Sequence, residues 1–206
     1  EYSASASTAK KSKDTENKFS AYDLAVSSRH LIMDFPQVTD ITSKSTAKIA
    51  GTSLENYNFM LENQSNFRSG VDGLKAGSSD KGGSSFVATT TENGIRMITV
   101  VLDVEQTDGD PYARFVATAS LMNYVSQNFT QTTIVAEGEA YNKSKSTVID
   151  GKQKTVPAVA SKDFTIIERI ANQAEHKVEF STNEKGFQAP LKKNTELGTL
   201  TYTDPE

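Results

Sequence analysis

The chain has no cysteine, so neither a disulfide framework nor a thiolate metal site is open to it, and cysteine usage leaves the redox compartment undecided. Histidine is nearly absent as well. His30 falls inside a helical stretch and His176 in the alternating run from Glu175 to Phe180, so neither is given a catalytic role. No stretch approaches the roughly 20 apolar residues of a membrane span. No signal-peptide pattern opens the sequence, which begins at Glu1 without a methionine and reads as a processed or excised piece. Positive charge is not in excess either: the net charge is −4, and nucleic acid, which calls for a basic patch, is excluded as a partner. What is present is ordinary globular composition, 36% apolar and 23% charged over 206 residues, with room for one large or two small domains.

Residues 1–18 mix Ser, Ala, Lys and Thr without an apolar period and read as a flexible lead. Ser20 followed three residues on by Asp23 has the pattern of a capping box. Leu24, Ser28, Leu31, Ile32 and Phe35 then recur at helical spacing until Pro36, which predicts a helix over 21–34 packed on a sheet. From Val38 to Leu61 short β-prone pieces alternate with polar turns, and Asn56 and Asn58 read as turn formers. The β-rich runs Ser84–Thr91 and Ile95–Leu102 are joined at Glu92-Asn93-Gly94, a strong hairpin signal. With the stretch from Val71 they predict three consecutive antiparallel strands over 71–102. Asp108-Gly109-Asp110-Pro111 supplies a turn, an N-cap and a proline at a first helical position. Phe115, Ala119, Met122, Val125 and Phe129 follow at intervals of three or four, giving a helix over 111–127 with one apolar face on the sheet. From Gln131 the pattern changes to short β-prone runs broken by Gly138, Gly151, Pro157, Gly186, Pro190 and Gly198, the mark of a small all-β sandwich or barrel. The expected division is a lead over 1–18, one domain over 19–129 and an all-β domain over 130–206.

Within this layout Val71-Asp72-Gly73-Leu74-Lys75-Ala76-Gly77-Ser78-Ser79 places one cation on a strand. Gly73 and Gly77 bracket Lys75 without side chains, so another group can approach the backbone on either side of a fixed ammonium. That arrangement suits an anionic ligand; a solvated strand lysine ahead of a turn is the other reading.

Val71 to Gly77 resembles the Lys-Thr-Gly motif, with its lead-in, of the low-molecular-mass serine D-alanyl-D-alanine carboxypeptidases, whose other motifs are Ser-x-x-Lys and Ser-x-Asn. Phe19 to Ala25 resembles the helix start that follows the second motif in that family, and Gly94 to Leu102 its next strand. Phe187 to Lys193 and Leu197 to Leu200 resemble the closing signature of the small β domain attached to these penicillin-binding enzymes. The resemblance covers nearly the whole chain. It implies an α+β fold: the C-terminal half of a β-lactamase-like or penicillin-binding domain, an antiparallel sheet with flanking helices, followed by a small all-β sandwich-like domain.

It also implies a chemistry. A serine attacks the carbonyl between two D-alanines, a lysine takes its proton, and an acyl-enzyme forms that water releases. Lys75 takes the motif lysine's catalytic part, adding positive field, while Ala76, Gly77, Ser78 and Ser79 line the substrate, the main chain at Ser78 helping to form the oxyanion hole. Arg114, about ten residues ahead of Tyr124, matches an arginine that grips the substrate carboxylate; a surface arginine is the alternative. The implied partners are a peptidoglycan stem peptide ending in D-Ala-D-Ala and β-lactams, with an extracytoplasmic location, a membrane anchor outside this chain, and no cofactor or metal.

Two departures stand out. Ala76 replaces the motif threonine. The nucleophile is missing: Ser7-Thr8-Ala9-Lys10 and Ser45-Thr46-Ala47-Lys48 spell Ser-x-x-Lys but neither opens an apolar helix, while Ser126-Gln127-Asn128 and Ser181-Thr182-Asn183 spell Ser-x-Asn in the wrong order. Either the chain is the C-terminal portion of such an enzyme, or it is an inactive wall-binding or spacer protein of the same fold.

Overall fold

A computed structural model of the chain describes residues 18–79, 83–105, 110–142, 144–172 and 177–203. The chain divides into two compact units, Glu1–Gln127 and Asn128–Glu206.

The first unit opens with α1 (Ala21–Asp34). Its N-terminus is closed by the capping box that the sequence predicts: the Asp23 N–H donates to Ser20 Oγ at 3.1 Å, and the Ser20 N–H donates to the Asp23 carboxylate at 3.0 Å. Those hydrogen bonds, first from the Ser20 backbone and then from its side chain, hold the Asp23 carboxyl below the usual carboxylate range. Pro36 stops the helix, and a short helix, α2 (Val38–Thr42), follows. The hairpin β1 (Thr46–Ile49) and β2 (Thr52–Glu55) turns through Ala50 and Gly51, both at positive φ, and is exposed at every strand position.

Next come β3 (Val71–Ser79), β4 (Gly83–Glu92) and β5 (Ile95–Val104), an antiparallel sheet in the order β3-β4-β5. Asn93 and Gly94 sit at φ 52° and 79°, the left-handed pair that a two-residue hairpin turn requires. α1 lies against β5 and α2 against β3. The last helix, α3 (Ala113–Asn128), starts two residues later than its proline suggests. The Tyr112 N–H is taken by the Asp110 carboxylate at 2.8 Å, which spends the cap on a turn ahead of the helix; Asp108 and Gly109 lie outside the described residues.

The core of this unit gathers Met60, Leu61, Phe86, Ala88, Phe115 and Met122, all 1% exposed or less. Phe115 of α3 meets Phe86 of β4 edge-on at 5.1 Å and Phe59 at 5.6 Å. Burying each such ring contributes on the order of 2–3 kcal/mol, so this aromatic contact fixes the helix over the sheet. α1 is different: it rests on β5 as expected, yet none of its residues is buried.

The second unit is built from strands apart from a 3₁₀ turn at Ile170–Asn172. β6 (Phe129–Val135) pairs antiparallel with β9 (Phe164–Arg169), and β10 (Lys177–Thr182) with β12 (Gly198–Thr203). β7 (Lys145–Ile149) lies between β8 (Thr155–Pro157), antiparallel, and β11 (Phe187–Gln188), parallel. Val135, Val148, Ile166 and Phe187 fill its interior. His176 lies outside the described residues. Among the described residues, no helix is long and apolar enough to cross a membrane. The α+β architecture that the resemblance implies, an antiparallel sheet with helices followed by an all-β unit, is the one observed.

Candidate functional site

Among the described residues β3 is an edge strand, paired on one side only, with β4. Its two glycines have different environments. A Cβ on Gly73 would sit 2.6 Å from Thr42 Oγ1 and 3.1 Å from Thr89 Cγ2, whereas a Cβ on Gly77 would meet nothing within 4 Å. The group that approaches Gly73 therefore belongs to this chain, and only Gly77 leaves the backbone open to a visitor. The Thr42 hydroxyl donates to the Asp72 carbonyl at 2.7 Å, and the buried Asn58 amide reaches the Gly73 carbonyl at 3.3 Å. Asn56 and Asn58 each accept from the backbone N–H two residues on, at 2.9 and 3.0 Å, the asparagine turns read from the sequence. Asn58 also anchors the start of β3.

Side chains alternate along β3. Lys75 is exposed, and its Nζ folds back to donate to the Ala76 carbonyl at 2.6 Å. Ala76 points the other way, 5% exposed, into the core cluster with Phe86, Phe115, Met60 and Leu61. Its methyl is a packing group, and what Ala76 offers a ligand is main chain. The Ser79 side chain lies outside the described part of the structure.

Arg114, from the start of α3, is brought to the far end of β3. Its Nη1 donates to the Gly77 carbonyl at 2.7 Å and to Ser78 Oγ at 2.9 Å, and the guanidinium carbon lies 5.0 Å from the centre of the Phe115 ring. Ser78 Oγ lies 3.2 Å from Ser84 Oγ across the strand pair. Ser78 Oγ accepts from an arginine, which can only donate, and in its contact with Ser84 either hydroxyl can be the donor.

Arg114 is 8% exposed and its Nε has no partner. Burial lowers the guanidinium pKa without bringing it near neutrality. Two other arginines of this unit, half-buried Arg68 and exposed Arg96, have carboxylates: Arg68 bonds Glu92 at 2.8 Å, and Arg96 Nη1 bonds both oxygens of Asp72 at 2.7 Å and Thr89 Oγ1 at 2.9 Å. Arg114 has no carboxylate at hydrogen-bonding distance among the described residues. Among the described residues this almost buried cation has no counter-ion and lies beside an open glycine, an arrangement that suits an anion.

The structure thus joins Arg114, Gly77 and Ser78, and sends Lys75 out from the opposite face to Ala76. Two participants are not visible in the sequence pattern. Thr42 and Ser84 act through contacts across the fold, and the register that pairs Ser78 with Ser84 is the signal that could have pointed to the second. The serine of Ser45-Thr46-Ala47-Lys48 directly precedes strand β1, so its lysine is not one helical turn away. Ser7 and Lys10 lie outside the described residues. Ser126 sits near the C-terminus of α3 and Ser181 in β10.

Residues 7–106 match the family model for D-alanyl-D-alanine carboxypeptidase, and residues 129–205 that for the C-terminal domain of penicillin-binding protein 5. A sheet with helices followed by such a β domain is the arrangement of the low-molecular-mass penicillin-binding proteins. Among them, this chain belongs to the D-alanyl-D-alanine carboxypeptidase family, with the C-terminal part of the catalytic domain and the attached small β domain. It is 29% identical over 191 residues to D-alanyl-D-alanine carboxypeptidase DacA of Haemophilus influenzae, a match that takes in 92% of this chain and 46% of that protein. It is 25% identical to DacD of Escherichia coli over 90% of this chain and 45% of that protein. The crystal structure of a peptidoglycan synthesis regulatory factor, PBP3, from Streptococcus pneumoniae is similar with a TM-score of 0.86 and 49% identity, over 94% of this chain and 52% of that one. Penicillin-binding protein 5 from H. influenzae follows at 0.60 and 28%, over 89% and 51%. The chain spans about half the length of the curated relatives it matches.

Proposed function

We propose that the chain is the C-terminal portion of an extracytoplasmic serine D-Ala-D-Ala carboxypeptidase that trims peptidoglycan stem peptides and is acylated by β-lactams. Residues 19–129 complete the penicillin-binding domain and residues 130–206 form the separate β domain. The observation that carries the reading is the meeting of Arg114 with Gly77 and Ser78 at the free edge of β3, in a family whose names state the activity.

In this reading the substrate lies along the β3 edge. Its terminal carboxylate is drawn by the charge of Arg114, which reaches the end of β3 through Gly77 and Ser78. The Ser78 N–H donates to the carbonyl oxygen as negative charge develops there, and Lys75 adds positive field. A serine supplied by the part of the family's domain that this chain does not span attacks the carbonyl carbon. Its proton passes by way of a lysine to the departing D-alanine amine as the peptide bond breaks, and water then hydrolyses the ester. Ala76, whose side chain faces the core, contributes its main chain to this scheme.

The test is the second-order rate of acylation by a labelled penicillin in the complete protein. Lys75→Ala should lower it by about a hundredfold or more, and an unchanged rate would remove β3 from the active site. The 206-residue chain alone should take up no label.

A further inference from the structure

α1 carries two apolar stripes. At 3.6 residues per turn, Leu24, Ala25, Ser28 and Ile32 fall on one side, and these are the half-buried positions of the helix, as expected for the face against β5. Tyr22, Val26 and Met33 fall together on the opposite side, 77%, 38% and 61% exposed. A helix with one packed face turns charged or polar residues to water on the other. This one instead places Asp23, Ser27, His30 and Asp34 on one flank between the two stripes, and Arg29 alone on the other flank, beside Tyr22. A two-striped helix is the pattern of an inner element covered from both sides. The capping box, the N–H of Phe35 returning to Leu31 at 2.9 Å and the contact with β5 hold it helical with the outer stripe uncovered.

The first 17 residues are a poor match for that stripe. Apart from Tyr2 they hold no large apolar side chain, so they lack the surface to bury it. The relatives, by contrast, are about twice as long as the matched part, and the family's C-terminal domain already accounts for residues 129–205 of this chain. We propose that Tyr22, Val26 and Met33 form a docking face for the polypeptide half that those relatives carry and this chain does not span, so that α1 becomes the middle layer of a catalytic domain assembled from two parts. This rests on the proposed carboxypeptidase function for the identity of the second part, and on the stripe itself for its position.

The test uses Val26→Lys together with Met33→Lys. Lysine is a better helix former than valine, and a cation in the last turn of α1, which has none, favours the helix dipole. The double variant of this chain alone should therefore melt within about 2 °C of the parent. The chain is then mixed with the unmatched half of the S. pneumoniae relative, and association is read by size-exclusion chromatography and by hydrogen exchange at α1. The parent should bind and protect α1, and the double variant should bind at least about tenfold more weakly. In a chimera that joins the same half ahead of this chain, which serves if the separate half does not fold, the double variant should lower the melting temperature by about 6 °C or more, because two charges would then be buried. Equal melting shifts in chain and chimera, or binding unaffected by the double variant, would overturn the docking face. So would α1 protection produced by this chain alone at rising concentration, which would assign the stripe to a second copy. Labelled penicillin added to the same complexes is a separate readout: binding through α1 without acylation would leave the docking face standing and remove the proposed enzyme function.

Discussion

Arg114 donates its Nη1 hydrogens to the Gly77 carbonyl and to Ser78 Oγ at once, at 2.7 and 2.9 Å. One side of the guanidinium is thereby occupied by the strand, and its Nε is buried without a hydrogen-bond partner. The same residue can seat β3 and attract an anion, and the two duties can be separated by experiment.

Arg114→Met should change the stability of this chain by no more than about 1 kcal/mol. Two charge-assisted hydrogen bonds are lost, but a cation without a carboxylate partner is no longer held out of water. In the complete protein the same substitution should reduce acylation by a labelled penicillin about tenfold or more. Urea melts measure the first effect. A loss above about 3 kcal/mol there would make Arg114 a structural brace before anything else.

Gly73→Ala and Gly77→Ala should behave oppositely, although both glycines flank Lys75. At Gly73 the new methyl meets Thr42 Oγ1 and Thr89 Cγ2, and the Thr42 hydroxyl is itself tied to the Asp72 carbonyl. A cost of about 2–3 kcal/mol is expected. Thr42→Ser, which keeps the hydroxyl, should not relieve it, whereas Thr42→Ala should recover part of it. At Gly77 the space is empty, so alanine should be neutral or stabilise by up to about 0.5 kcal/mol through the unfolded chain. Chemical denaturation of the four variants checks this; equal costs at 73 and 77 would contradict the packing described.

Ala76→Thr should cost this chain about 1–2 kcal/mol, since residue 76 faces the packed cluster around Phe86 and Phe115 and an added hydroxyl and methyl must be fitted there. Any gain in ligand capture would then come with a loss of stability. Paired urea melts and acylation rates decide it, and unchanged stability would mean that the hydroxyl finds the strand edge.

Glu92 should make this chain more stable at neutral pH than in acid. The hydrogen bond from Arg68 is the main reason its carboxyl lies below the ordinary glutamate range, with Ser126 and the Arg68 charge adding to it against a smaller opposing effect of burial. The folded pKa being the lower one, the stabilisation is complete above the unfolded value, about 4.3, and disappears as pH falls through the folded value. The pair is partly exposed, 19% and 31% at the two side chains, so about 1 kcal/mol or less is at stake. Stability measured from pH 6 to pH 3 should fall less steeply in Glu92→Gln than in the parent.

The parts legible in the sequence are those written over short distances. The Ser20–Asp23 cap, the Asn93-Gly94 turn, the three strands and the aromatic face of α3 all depend on neighbours within a turn or a hairpin. Lys75 stands out by its place between two glycines, whereas Arg114 is pointed to only by the family resemblance. The contact of Thr42 with Gly73 and the hydroxyl chain from Arg114 through Ser78 to Ser84 depend on how distant segments meet, which no periodicity records. The two glycines looked equivalent because a glycine in a sequence does not show what stands opposite it. Leu24, Ser28 and Ile32 satisfy the pattern of a helix packed on one face, and that pattern is silent on the stripe formed by Tyr22, Val26 and Met33.

β3 is held near its start by Thr42 and Asn58, which precede it, and near its end by Arg114, which follows Gly77 by 37 residues. During synthesis the first support is already made when the strand appears, and the second does not yet exist. The segment bearing Lys75 can pair with β4 before its outer end has been fastened. Its final seating waits for the start of α3 to leave the ribosome and for Phe115 to reach Phe86, so a ribosome paused between β5 and α3 would display a sheet whose ligand-facing corner is still loose.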